Sequence, residues 1–154
     1  MRIVKKILIG LLVVLVIIQF IQPARNRSNE HTSQDMARMV FVPENVQHVL
    51  QTACYDCHSN NTSYPWYSNV QPFGWLLARH IRKGKSELNF SEFGTYSNRR
   101  QISKLSGISN SVRDGTMPLG SYLILHQRAR LSKKEKSSII EWATKTKDSL
   151  ISNK

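Results

Sequence analysis

Two cysteines stand three positions apart in this chain, with a histidine directly after the second: Cys54, Cys57 and His58, in C-Y-D-C-H. They are the only cysteines among 154 residues, so the spacing is not one choice from many. Thiols so placed at a helix end reach the two vinyl groups of one haem. The next imidazole then lies beneath the iron, where histidine is a usual axial ligand. The motif predicts one covalently attached haem c with His58 as a metal ligand. Such attachment needs reduced thiols, haem and an assembly system outside the cytoplasm, so an export signal is expected as well.

Other uses of the two thiols fit less well. A thioredoxin-type C-x-x-C belongs in a βαβ context, and no strand alternation is present here. A structural zinc site needs four ligands, and there is no second cysteine pair. A disulfide between residues three apart in a helix is strained.

The second axial position has several candidates. Met117, in G-T-M-P-L-G, sits between residues that hold it out of a helix, so a loop can present its thioether to the iron. Met36 and Met39 fall in a polar stretch and Met1 is terminal, which leaves Met117 as the methionine placed to serve. His80, on an amphipathic pattern, and His126, nine residues beyond Met117, are the alternatives. Each has an ordinary reading too, as a propionate donor or a structural histidine. His31 and His48 are weaker candidates, His48 because it points away from an apolar face at Val46, Val49 and Leu50. Among the nearby aromatics Tyr64, Trp66, Tyr67, Phe73 and Trp75, Tyr64 and Trp66 are expected to contact the haem, with a plain core role as the rival. Arg79 and Arg82 are possible propionate partners or simply a solvated face.

The elements that must position these groups are helical. Pro43 suits the first turn of a helix that carries Val46, Val49, Leu50 and Ala53 into the motif. A turn-rich loop follows, then a helix from Pro72 to Lys83 ending near Gly84. Another spans about Asn98 to Arg113 and stops at D-G. Ser132 and Glu135 form a capping box opening the last helix, whose apolar side is Ile139, Ile140, Trp142 and Ala143. The expected fold class is all-α.

The N-terminus reads as a membrane element. Arg2, Lys5 and Lys6 precede an apolar run from Ile7 to Ile18, with Phe20 and Ile21 beyond, long enough to span a bilayer of about 30 Å. No small-x-small cleavage site follows, so an uncleaved signal-anchor over residues 1–22 is expected. The leading positive charges keep the N-terminus inside and send the rest outward. Residues 23–39 read as a polar linker and 40–154 as the haem-binding domain.

The chain carries 22 Lys+Arg against 10 Asp+Glu, a formal charge of +12. From residue 40 onward there remain 16 basic and 8 acidic side chains, so the excess belongs to the domain as well as the anchor. It favours an acidic redox partner protein or anionic headgroups. Nucleic acid is not expected for a domain exported on a membrane tether.

The stretches C-Y-D-C-H-S-N-N-T-S-Y-P-W-Y, Q-P-F-G-W-L-L-A-R-H-I-R-K-G-K, L-N-F-S, G-T-M-P-L-G-S-Y and H-Q-R-A-R-L-S together resemble the bacterial haem-binding domain family, over about residues 40–145. Its members are small cytochrome-c-like proteins, often with an N-terminal membrane segment. The resemblance implies haem held covalently by Cys54 and Cys57 and ligated by His58, and it takes in His80, Met117 and His126. The expected protein is a membrane-tethered monohaem cytochrome in the bacterial cytoplasmic membrane, with its C-terminal domain in the periplasm or outside. An electron carrier is expected ahead of an enzyme. The alternative is a haem-based sensor or peroxidase-like enzyme with an open iron site.

Overall fold

A computed structural model describes residues 2–28 and 33–152. It is helical, and among the described residues there is no strand, only one isolated antiparallel bridge between Arg27 and Asn61. Helix α1, Arg2–Ile17, continues through a 3-10 turn to Phe20. None of this segment is buried, and it is long and apolar enough to cross a membrane.

The short helix α2 covers Met36–Met39, with Asp35 at its N-cap accepting from the Ala37 N–H at 3.0 Å. Helix α3, Glu44–Ala53, follows Pro43 and buries Val46, Val49, Leu50 and Ala53, while His48 is exposed. The one-turn helix α4 is Tyr55–His58, and α5 is Phe73–Glu87. A 3-10 turn at Phe90–Thr95 drives Phe90 and Phe93 into the centre of the core. Helix α6, Asn98–Arg113, starts at the Ser97 cap and buries Leu105, Ser109 and Val112. Its stop is Gly115, whose φ of +69° is a conformation that glycine adopts without a Cβ clash. The one-turn α7 is Gly120–Leu123, and α8 is Lys133–Ser152.

The capping box closes as its sequence implies. The Glu135 carboxylate accepts from the Ser132 N–H and hydroxyl, both at 2.7 Å, and the Ser132 hydroxyl accepts from the Glu135 N–H at 3.3 Å. Helices α6 and α8 pack along each other, and α3 lies against α8. Ile139, Trp142 and Ala143 of α8 complete the core, and the Trp142 indole donates to the Phe41 carbonyl at 2.9 Å.

Residues 23–39, expected as a linker, meet the domain at some of the described positions. The Asn26 side-chain amide donates to the Ser59 carbonyl and to the Thr62 hydroxyl, both at 2.9 Å, and accepts from Lys85 at 2.7 Å. Met36 is fully buried and belongs to the core. Hydrogen bonding holds the first part, and it leaves no apolar periodicity to read. His31 lies outside the described residues.

Candidate haem site

Helix α3 breaks at Cys54, and α4 begins at once. The Cys57 and His58 N–H groups donate back to the Cys54 carbonyl at 3.2 and 3.0 Å. This single turn gathers both sulfurs and the imidazole on one side, since residues three and four apart share a helical face. Helix α5 crosses it at backbone contact. A Cβ at Gly84 would lie 2.5 Å from the Cys57 carbonyl oxygen and 3.1 Å from the Cys57 Cβ, so only glycine permits this approach. The glycine expected to end α5 therefore lies inside the helix and serves the motif.

His58 is largely buried. Its Nδ1 stands 3.0 Å from the Leu88 carbonyl oxygen. A carbonyl only accepts, so Nδ1 carries the proton and the Nε2 lone pair is left for a ligand role. Burial pushes the imidazole pKa below its ordinary value, against the opposing pull of the Leu88 and Gly84 carbonyls and of Glu87. The ring is thus neutral at neutral pH, the form that binds a metal.

Cys54 and Cys57 form no disulfide. Burial, with Cys57 as a lesser cause, pushes Cys54 up to about 12. Burial and then Asp56 push Cys57 up to about 11. Redox-active cysteines show the opposite shift, toward thiolate, so this environment disfavours thiol–disulfide exchange. Among the described residues no three His, Cys, Asp or Glu side chains converge on a bare metal ion.

Two cavities flank the motif, of about 280 and 300 Å³, and both are lined by Ala53, Cys54, His58, Glu87, Met117 and Pro118. The first is apolar, walled by Leu50, Leu88, Phe90, Ile108, Val112 and Ile139, with Lys104 among its lining residues. The second adds Cys57, Arg79, His80, Lys83 and Tyr122. An apolar wall with cations beside it suits a porphyrin, which is a flat apolar ring bearing two carboxylates. Together the cavities fall in the roughly 300–1,000 Å³ range of cofactor sites. A larger groove of about 640 Å³, between Met39–Val46 and α8, holds no cysteine or histidine and has no part in this chemistry.

Of the residues singled out from sequence, the structure brings Cys54, Cys57, His58, Met117 and His80 to these cavities, together with Arg79. It does not bring the others there. Trp66 is 78 % exposed. Tyr64 lies under the Arg25 guanidinium, 4.3 Å from the ring centre, and its hydroxyl accepts from the Asn26 N–H at 2.6 Å. Arg82 lines a separate depression beside Tyr64. His126 stacks on Tyr122 at 3.8 Å and lines neither cavity.

Sequence reasoning missed Asp56 and Tyr122. The Tyr122 hydroxyl donates to one Asp56 oxygen at 2.8 Å, and the other oxygen accepts from the Ser63 N–H at 2.9 Å. Burial and then this bond raise the Tyr122 pKa, keeping the phenol protonated. The bond ties the segment after Met117 to the motif. Its partners lie 66 residues apart, so no local pattern announces it.

No curated protein and no solved structure matches the chain. The model of the haem-binding domain family does match, over residues 13–145, which takes in the cysteine motif, both cavities and the docked segment before them. With the match covering most of its length, the chain belongs to the haem-binding domain family.

Proposed function

We propose that this protein is a membrane-tethered monohaem c-type cytochrome that carries electrons outside the cytoplasm. The observation that carries the reading is that Cys54, Cys57 and His58 line one cavity together with Met117. In this reading Cys54 and Cys57 would hold the haem through thioethers, His58 would bind the iron through Nε2, and Met117 would supply a further ligand, with His80 as the alternative. Bound haem supplies one-electron transfer. The chain's own part is to fix the imidazole through Leu88, exclude water with Leu50, Phe90, Ile108 and Ile139, and place cations near the carboxylates. A thioether ligand favours ferrous iron, so Met117 raises the reduction potential relative to a bis-histidine site.

The test is the spectrum of the full chain, produced in a host competent for cytochrome maturation. A pyridine haemochrome assay is expected to report thioether-linked haem that acidified organic solvent does not extract. Met117→Ala is expected to abolish the red charge-transfer band of methionine-ligated ferric haem and to lower the potential, whereas His80→Ala leaves the band in place. Absence of the band from the wild-type protein, with a low-spin spectrum that changes in His80→Ala but not in Met117→Ala, would reassign the ligand to His80.

A sensor or peroxidase-like enzyme is the second reading, drawn from Arg79 and His80, two polar groups on one cavity. Rapid binding of carbon monoxide by the native ferrous protein would favour it, since filled axial positions resist such binding.

A further inference from the structure

We infer that the domain lies against the outer membrane–water interface, through an apolar surface at the start of α5 that contacts lipid directly. The inference rests on the anchor reading of Arg2–Phe20. Trp66 is 78 % exposed, Phe73 54 % and Leu76 49 %, large apolar areas for a water-facing surface. Their position decides what covers them. The Gln19 side chain accepts from the Gln71 N–H at 2.9 Å, and the Gln22 side chain donates to the Asn69 carbonyl at 3.1 Å. The Trp75 indole donates to the Ile21 carbonyl at 2.8 Å.

These bonds fix residues 69–75 beside the turn at which the span ends. A span that places Phe20 and Ile21, 84 % and 59 % exposed, in the bilayer boundary brings the same surface to that depth. Aromatic rings are favoured at this level. Along α5 the exposed face then changes character with helical spacing, from Phe73 and Leu76 to Arg79 and Lys83. Apolar groups next to the span followed by cations suit acyl chains followed by anionic headgroups. Arg25, bonded to the Ser68 hydroxyl at 2.8 Å, adds a further cation at the same edge. A protein partner would have to reach this surface past the bilayer, so lipid is the occupant the geometry favours.

The test uses the full holoprotein in vesicles of phosphatidylcholine and phosphatidylglycerol. Photoreactive benzoylphenylalanine is placed singly at positions 66, 73, 9 and 141, and adducts are identified by mass. Lipid adducts are expected at 66 and 73, as at 9 within the span, and none at 141 on α8. Adducts at 9 but not at 66 or 73 would overturn the docked surface while leaving the anchor intact. Absence at 9 as well would overturn both. Protein adducts at 66 and 73 in place of lipid would overturn it in favour of a partner interface.

Discussion

Gly84 shows how one missing carbon organises a site. The Cα of α5 approaches the motif so closely that an added methyl meets the Cys57 carbonyl at 2.5 Å, and a backbone atom cannot rotate aside. Gly84→Ala must therefore push α5 away from α4 and with it the Leu88 carbonyl that orients His58. The expected outcome is a loss of about 1–3 kcal/mol, the usual range for overpacking, together with a lower yield of covalent haem per polypeptide. Unchanged haem content and an unchanged denaturation midpoint would show that the two backbones are not in contact. Met117 poses the complementary question, because its side chain lines both cavities. Truncation there is expected to change the spectrum and the potential while leaving the helical fold intact.

At the scale of elements, what the sequence announces and what it conceals divide by distance along the chain. Helix α6 ends where its D-G predicts, and the Ser132–Glu135 box forms as written, because cap and partner sit within one turn. Gly84 misleads because a glycine at the end of an apolar pattern reads as a stop, while its reason lies 27 positions back, at Cys57. Asn26 conceals more, since its bonds to Ser59, Thr62 and Lys85 depend on a folded surface that no local spacing encodes. Asn26→Ala takes the amide donor from the Ser59 carbonyl, while the Thr62 hydroxyl keeps its bond to the Asp56 carbonyl, and the expected cost is roughly 1–3 kcal/mol. Chemical denaturation of the full chain in detergent measures it. The capping box carries a pH signature. Its hydrogen bonds from Ser132 hold the Glu135 pKa below the ordinary value, so its contribution is present above the unfolded pKa and is lost as pH falls through the folded one. Ser132→Ala should cost about 1 kcal/mol near neutrality, and the gap from wild type should narrow in acid. A gap that stays constant would mean that the carboxylate plays no part in the cap.

For the whole molecule, the proposed tether and the charge would act together. The domain has twice as many basic as acidic side chains beyond residue 40, and the candidate haem cavities are lined by Arg79, Lys83 and Lys104 together with Glu87 and Asp56. In the proposed role, these cations would attract an acidic partner at long range, and screening shortens that reach to about 10 Å at 0.1 M salt. Electron transfer from an acidic donor protein is therefore expected to slow steeply as ionic strength rises, mainly through a lower association rate. Lys83→Glu should reduce the rate at low salt and flatten the salt dependence. The membrane sharpens this prediction. A domain lying on anionic lipid shares its cations with headgroups, so the salt dependence should be weaker in vesicles rich in phosphatidylglycerol than in neutral ones. Stopped-flow reduction of the full chain in both vesicle types measures the difference. Identical salt dependences in the two would mean that the cations near the haem face the aqueous partner alone.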